Sequence, residues 1–157
     1  MPRRSSLSNC LTVTIRSVES RGPRAWSPYK LCIYDGTASL ISSATVPAGG
    51  FCGGKPCWRA TSRGFKYVDK DRLADGIYKM GLREGLEAGA AKIFINGKGA
   101  DLDMPMMATD GTPTIALFPP VTVVLKNSDN VCWRARYNAP AIRNVSGQPP
   151  QFKDRDD

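Results

Sequence analysis

Apolar and polar residues alternate along this chain in short runs, each closed by glycine, proline, asparagine or aspartate. Leu11, Val13 and Ile15 alternate with Thr12, Thr14 and Arg16 and predict a strand over 11–18. Residues 21–28 hold Gly22, Pro23 and Pro28 and read as a loop. Leu31 to Tyr34 is a short apolar strand stopped by Asp35-Gly36, a hairpin signal. Ser39 to Val46 reads as its return strand, closed by Pro47 and Gly49-Gly50. Cys57–Thr61 and Phe65–Val68 follow across Ser62-Arg63-Gly64. Their alternation puts Trp58, Phe65 and Tyr67 on one face, with Arg59 and Lys66 outward. Ile77–Leu86 fits both a helical and a strand period. Gly76, Gly81, Gly85 and Gly89 interrupt it too often for a stable helix, so the expectation is a strand with Tyr78, Met80 and Leu82 inward. A helical turn fits at 88–91. Lys92–Asn96, Ile115–Phe118, Val121–Lys126 and Val131–Tyr137 complete the series, with Asn127-Ser128-Asp129-Asn130 as the last hairpin turn.

This makes about nine or ten short strands at the spacing of an antiparallel β-sandwich, Ig-like or jelly-roll-like, in an all-β protein. At 157 residues the chain fits one domain with a core. The expected division is an extension with a first strand over 1–28, the sandwich over 29–140 and a polar tail over 141–157. Cys57-Trp58-Arg59-Ala60 recurs as Cys132-Trp133-Arg134-Ala135. In strands this sets Cys and Arg on one face and Trp and Ala on the other, so two tryptophans are expected in one core. Four residues are too few for a true repeat.

The formal net charge of +8 suits a basic surface or an anionic partner. The basic residues are scattered and often adjoin acids, as in Asp69-Lys70-Asp71-Arg72. A run resembling a nucleic-acid arm is missing, so nucleic acid is not the first partner expected. No apolar run is long enough for a transmembrane helix. Met1 to Arg4 resembles a charged leader start, but Leu11–Ile15 is too short and polar for a signal core. The chain is then either cytoplasmic or a piece of a longer exported protein.

The five cysteines, Cys10, Cys32, Cys52, Cys57 and Cys132, form no C-x-x-C pair, and the chain has no histidine. A zinc site would need thiolates and carboxylates at unusual spacing. Two disulfides with Cys10 left over fit better and imply an oxidising compartment. The sequence does not fix the pairing: Cys52 and Cys57 are close enough to staple the Gly-Gly-Lys-Pro turn, and Cys32 and Cys132 would then be the long-range pair. Reduced, buried cysteines in a cytosolic fold are the alternative.

Leu31 to Asp35, Gly49 to Asp71, the KIFINGKGADL stretch over 92–102, Asn127 to Tyr137 and Gln151-Phe152-Lys153-Asp154 together form a pattern. Over residues 29–157 it resembles an uncharacterised family of β-rich modules in secreted or envelope-associated bacterial proteins. Members carry a GFKYKDKD…KGKGANL…NS…CW pattern. The resemblance implies a β fold and export. It brings no catalytic or binding residues with it.

Chemistry is sparse. Gly49 to Lys55 approaches a phosphate-binding loop, but Pro56 stands where Ser or Thr would hold magnesium, and a strand follows instead of a helix. Asp69, Asp71 and Asp75 offer calcium-type oxygens in one turn, though Leu73 breaks the EF-hand order. Asp101 and Asp103 form a second such pair. Without histidine there is no Ser-His or Cys-His dyad. No cofactor and no catalytic residue is expected. Asn144-Val145-Ser146 matches a glycosylation sequon. Trp58, Arg59, Trp133, Arg134 and Arg136 are the residues a ligand-binding face would use. The expectation is a non-enzymatic structural or adhesive module, with the Met104-Pro105-Met106-Met107 loop as a partner contact. The second reading is a module binding anionic glycan or nucleic acid through a basic-aromatic face.

Overall fold

A computed structural model describes residues 27–86, 91–99, 101–103, 120–129 and 131–138, and the backbone of two strands at 143–145 and 151–153. The described residues are all-β and contain no helix. Twelve strands run in chain order: β1 Tyr29–Tyr34, β2 Leu40–Val46, β3 Phe51–Cys52, β4 Lys55–Pro56, β5 Trp58–Thr61, β6 Gly64–Val68, β7 Ile77–Arg83, β8 Lys92–Gly97, β9 Val121–Asn127, β10 Cys132–Tyr137, β11 Arg143–Val145 and β12 Gln151–Lys153. They form two four-stranded antiparallel sheets, ordered β10-β9-β1-β2 and β5-β6-β7-β8, and two small hairpins, β3-β4 and β11-β12. The last hairpin lies in the stretch read from sequence as a polar tail. The predicted strands at 11–18 and 115–118 lie outside the described residues.

Local chemistry sets the turns. Between β1 and β2 the Asp35 carboxylate accepts from the Thr37 amide and hydroxyl and from the Ser39 amide. That ring of donors holds the chain through Ala38, whose φ is 61°. Between β5 and β6 the turn closes at Gly64, with φ 142°. A Cβ there would run into the Leu82 backbone carbonyl of β7, so the close approach of β6 to β7 requires glycine.

Register decides which side chains meet. In the first sheet, Tyr29 and Leu31 of β1 stand beside Val46 and Ala44 of β2 and beside Asn127 and Leu125 of β9. In the second, Trp58, Tyr67, Met80 and Ile95 stand in one row across all four strands. These apolar faces contribute to one core cluster. Tyr29 joins them, its ring 5.4 Å from Trp58 and 6.2 Å from Trp133, while Trp58 lies 5.2 Å from Tyr67. Both tryptophans of the Cys-Trp-Arg-Ala echo thus border the same tyrosine. Two hydrogen bonds add to the join. The Trp58 indole N–H donates to the Pro47 carbonyl (2.9 Å), and the Thr45 amide donates to the Asp75 carboxylate (2.8 Å).

One strand differs from its sequence reading. β7 is a strand as expected, with Met80 and Leu82 buried. A bulge between Ile77 and Lys79 shifts the register, so Ile77 enters the core and Tyr78 does not. Tyr78 instead lies beneath the Lys98 ammonium, 5.0 Å from its ring centre. Alternation alone carries no sign of a bulge.

Candidate binding face

The outward face of the β5–β8 sheet is built from alternate residues of four consecutive strands. One row across it reads Thr61, Gly64, Arg83, Lys92; the next reads Arg59, Lys66, Gly81, Phe94; the third places Lys79 between Val68 and Asn96. Arg59 therefore stands directly opposite Lys66, and Arg83 directly opposite Lys92. Directly opposed side chains have Cβ atoms roughly 5 Å apart, and like charges in that position destabilise a sheet. None of these rows contains an acid. Arg59, Lys66, Arg83 and Lys92 are exposed, and Lys79 is half-buried. Phe94 lies over Gly81, whose missing side chain gives the ring its place. The ring remains 45% exposed, with the Lys79 ammonium 5.5 Å from its centre. The face spans roughly 14 Å across its four strands at the ordinary strand spacing.

The five residues singled out from sequence do not share one surface. Trp58 is buried, and Trp133 packs against the core. Arg59 belongs to the outer face of the β5–β8 sheet. Arg134 and Arg136 point away from the core on the other sheet, alternating with the inward Trp133 and Ala135. The aromatic part of the expected face is thus core, and its basic part is divided between two sheets. Sequence reading missed Lys66, Lys79, Arg83, Lys92 and Phe94 as a group. Arg83 and Lys92 end and begin successive strands, a signal for their pairing, but only the register aligns them with Arg59 and Lys66.

The aspartate turn after β6 is structural. Asp69 is 2% exposed. Its oxygens accept from the Tyr67 hydroxyl and from the amides of Asp71, Arg72 and Ala74. Asp75 accepts the Thr45 amide from the other sheet. Their oxygens face N–H and O–H donors, where calcium needs several convergent free oxygens. Asp69, Asp71 and Asp75 form no metal-binding group, nor does any other cluster among the described residues. The Gly49–Lys55 stretch forms the β3-β4 hairpin, with no helix following it. The Met104–Met107 loop lies outside the described residues.

Cys52 and Cys57 are disulfide-bonded across that hairpin, with Cα atoms 5.0 Å apart. The expected Cys32–Cys132 bond is corrected: Cys32 is a free thiol, while Cys132 is disulfide-bonded elsewhere. β9 lies between β1 and β10, so the two cysteines stand two strand spacings apart, roughly 10 Å and beyond disulfide reach. Burial pushes the Tyr34 phenol up, with the neighbouring Cys32 sulfur adding to the effect.

A cavity of about 210 Å³ opens where the β5-β6 turn, the end of β7 and the start of β8 meet. Phe65, Leu82, Ile93 and Trp133 supply its apolar lining, and Arg83 and Glu84 its charged groups. Glu84 is the only carboxylate among its lining residues, so no carboxylate pair converges there.

No protein-family model, no curated protein and no solved structure matches the chain.

Proposed function

We propose that this chain is a non-enzymatic β-sandwich module of a secreted or envelope-associated protein, adhesive in role, and that it holds an anionic glycan on the outer face of the β5–β8 sheet. The observation that carries the reading is the pair of opposed like charges, Arg59 with Lys66 and Arg83 with Lys92, on one acid-free face. Each pair costs stability in the free protein, and a polyanion lying across the strands relieves both. Phe94 supports a sugar ligand, because an exposed ring among cations offers an apolar platform beside the charges. Two four-stranded sheets contributing to one core support the sandwich. The Cys52–Cys57 bond supports an oxidising compartment, and the resemblance to envelope modules points the same way.

The test is retention on immobilised heparin along a salt gradient, with single-stranded DNA as the competing polyanion. Wild type is expected to be held and to elute with salt, as counterion release requires. Lys66→Glu with Arg83→Glu should abolish retention, whereas Arg134→Glu with Arg136→Glu on the other sheet should leave most of it. Equal losses from both double variants would reduce the reading to net charge. Tighter retention on DNA than on heparin would favour nucleic acid as the ligand.

A further inference from the structure

Strand β8 forms one edge of its sheet, and among the described residues no strand pairs with its far side. Edges of this kind carry unpaired N–H and C=O groups, and soluble proteins commonly guard them with charge, proline, bulges or short length. The guards are present on two other edges of this molecule. On β2 the Thr45 amide is taken by Asp75, and β5 is a four-residue strand with the exposed Arg59 in it. On β8 they are missing from the centre. Ile93, Phe94, Ile95 and Asn96 carry no charge and no proline. Ile93 is 36% and Phe94 45% exposed. The pairing with β7 is regular from Met80/Ile95 to Arg83/Lys92, so no bulge twists this part of the edge away.

We propose that β8 pairs antiparallel with β8 of a second copy of this chain, about a twofold axis normal to the sheet and passing through Phe94. Such an axis keeps each face on its own side, so the register must be centred on a residue. Centred on Phe94, the ring faces its own symmetry mate, Ile93 faces Ile95 of the second copy on the inner side, and Lys92 faces Asn96. Every apolar residue then meets an apolar one, and no like charges are opposed. Shifting the centre to Ile95 sets Lys92 against Lys98 of the second copy; shifting it to Ile93 sets Lys92 against Phe94. The strand is thus self-complementary in one register, and this favours a second copy over an unrelated strand. The pairing makes one sheet of eight strands and places two basic faces side by side.

Sedimentation equilibrium of the full chain over a concentration series reads the association directly. The weight-average mass should rise towards twice that of the monomer. Phe94→Lys opposes two ammonium groups at the axis and should remove this rise, while keeping cooperative unfolding. Cysteine cross-linking reads the register, in a Cys32→Ser background that removes the free thiol. Phe94→Cys should form a covalent dimer under mild oxidation. Asn96→Cys should not, because the two substituted positions stand about four residues, roughly 13 Å, apart along the strands. A wild type that stays monomeric throughout, a Phe94→Lys variant that still associates, or cross-linking at position 96 as fast as at 94 overturns the proposal.

Discussion

A buried carboxylate holds together more of this molecule than its size suggests. Asp69 accepts from one hydroxyl and three backbone amides, and so fixes the turn that passes the chain from β6 to β7. Asp69→Ala strands those donors at a buried site, and the expected loss is about 3 kcal/mol in urea unfolding. Tyr67 gives that carboxylate its hydroxyl hydrogen, so Tyr67→Phe should cost about 1.5 kcal/mol. Tyr29 is the opposite case. Its buried hydroxyl has no hydrogen-bond partner among the described residues, and Tyr29→Phe should be neutral or slightly stabilising.

The same two phenols set an alkaline limit. Burial pushes both well above the usual 10.0, helped by Asp129 near Tyr29 and by Asp69 at Tyr67. The unfolded chain releases these protons from about pH 10 while the folded chain retains them. Their contribution is therefore complete below that pH and is lost as pH rises, by up to about 1.4 kcal/mol per unit for each tyrosine. Urea midpoints measured across the alkaline range should fall accordingly, and the double phenylalanine variant should flatten the fall. At the acid end Asp35 acts in the other sense. Desolvation, the largest single influence, raises its pKa, but the hydrogen bonds from Thr37 and Ser39 together outweigh it and hold the carboxyl below its usual range. Its support of the β1-β2 turn is present above about pH 4 and fades as pH drops through the lowered value.

At the scale of elements, the β3-β4 hairpin depends on a covalent tie. It has two residues per strand and leaves Phe51 79% exposed, too little to order it by packing alone. Replacing Cys52 and Cys57 by serine should lower stability by about 2 kcal/mol, the order expected for so short a loop. The fall in denaturation midpoint on adding reductant to wild type should be at least as large. Gly64→Ala meets the Leu82 carbonyl of β7 and should loosen the β6-β7 pairing, read as faster amide exchange at Phe65 and Tyr67. Strand positions were legible in the sequence because half-buried strands alternate and their turns use asparagine, aspartate and glycine. The bulge at Tyr78 was not, since it lets the chain slip one residue without any change of composition. Nor was the basic face. Arg59, Lys66, Arg83 and Lys92 are ordinary outward residues when taken singly, and only the pairing of four strands sets them opposite one another.

For the whole molecule, Trp58 and Trp133, expected from sequence in one core and offered also as candidates for a ligand face, lie with the core, because aromatic rings bridging two sheets bury more area there than on a surface. The long-range cysteine pairing went astray for a topological reason: β1 takes β9 as its neighbour, and β10 is pushed one strand further out. That insertion also bears on how the chain is made. β5 to β8 pair strictly with their neighbours in sequence, so their sheet is complete as soon as Gly97 has left the ribosome. β1 is synthesised before all of them, pairs at once only with β2, and receives its other partner when β9 emerges. Throughout that interval one side of β1 is an open template, Leu31 and Ile33 included, while the finished sheet waits with its apolar face uncovered. A nascent chain stalled before Val121 is therefore the form of this protein that most needs a chaperone, and it should bind one more tightly than a chain released at its full length.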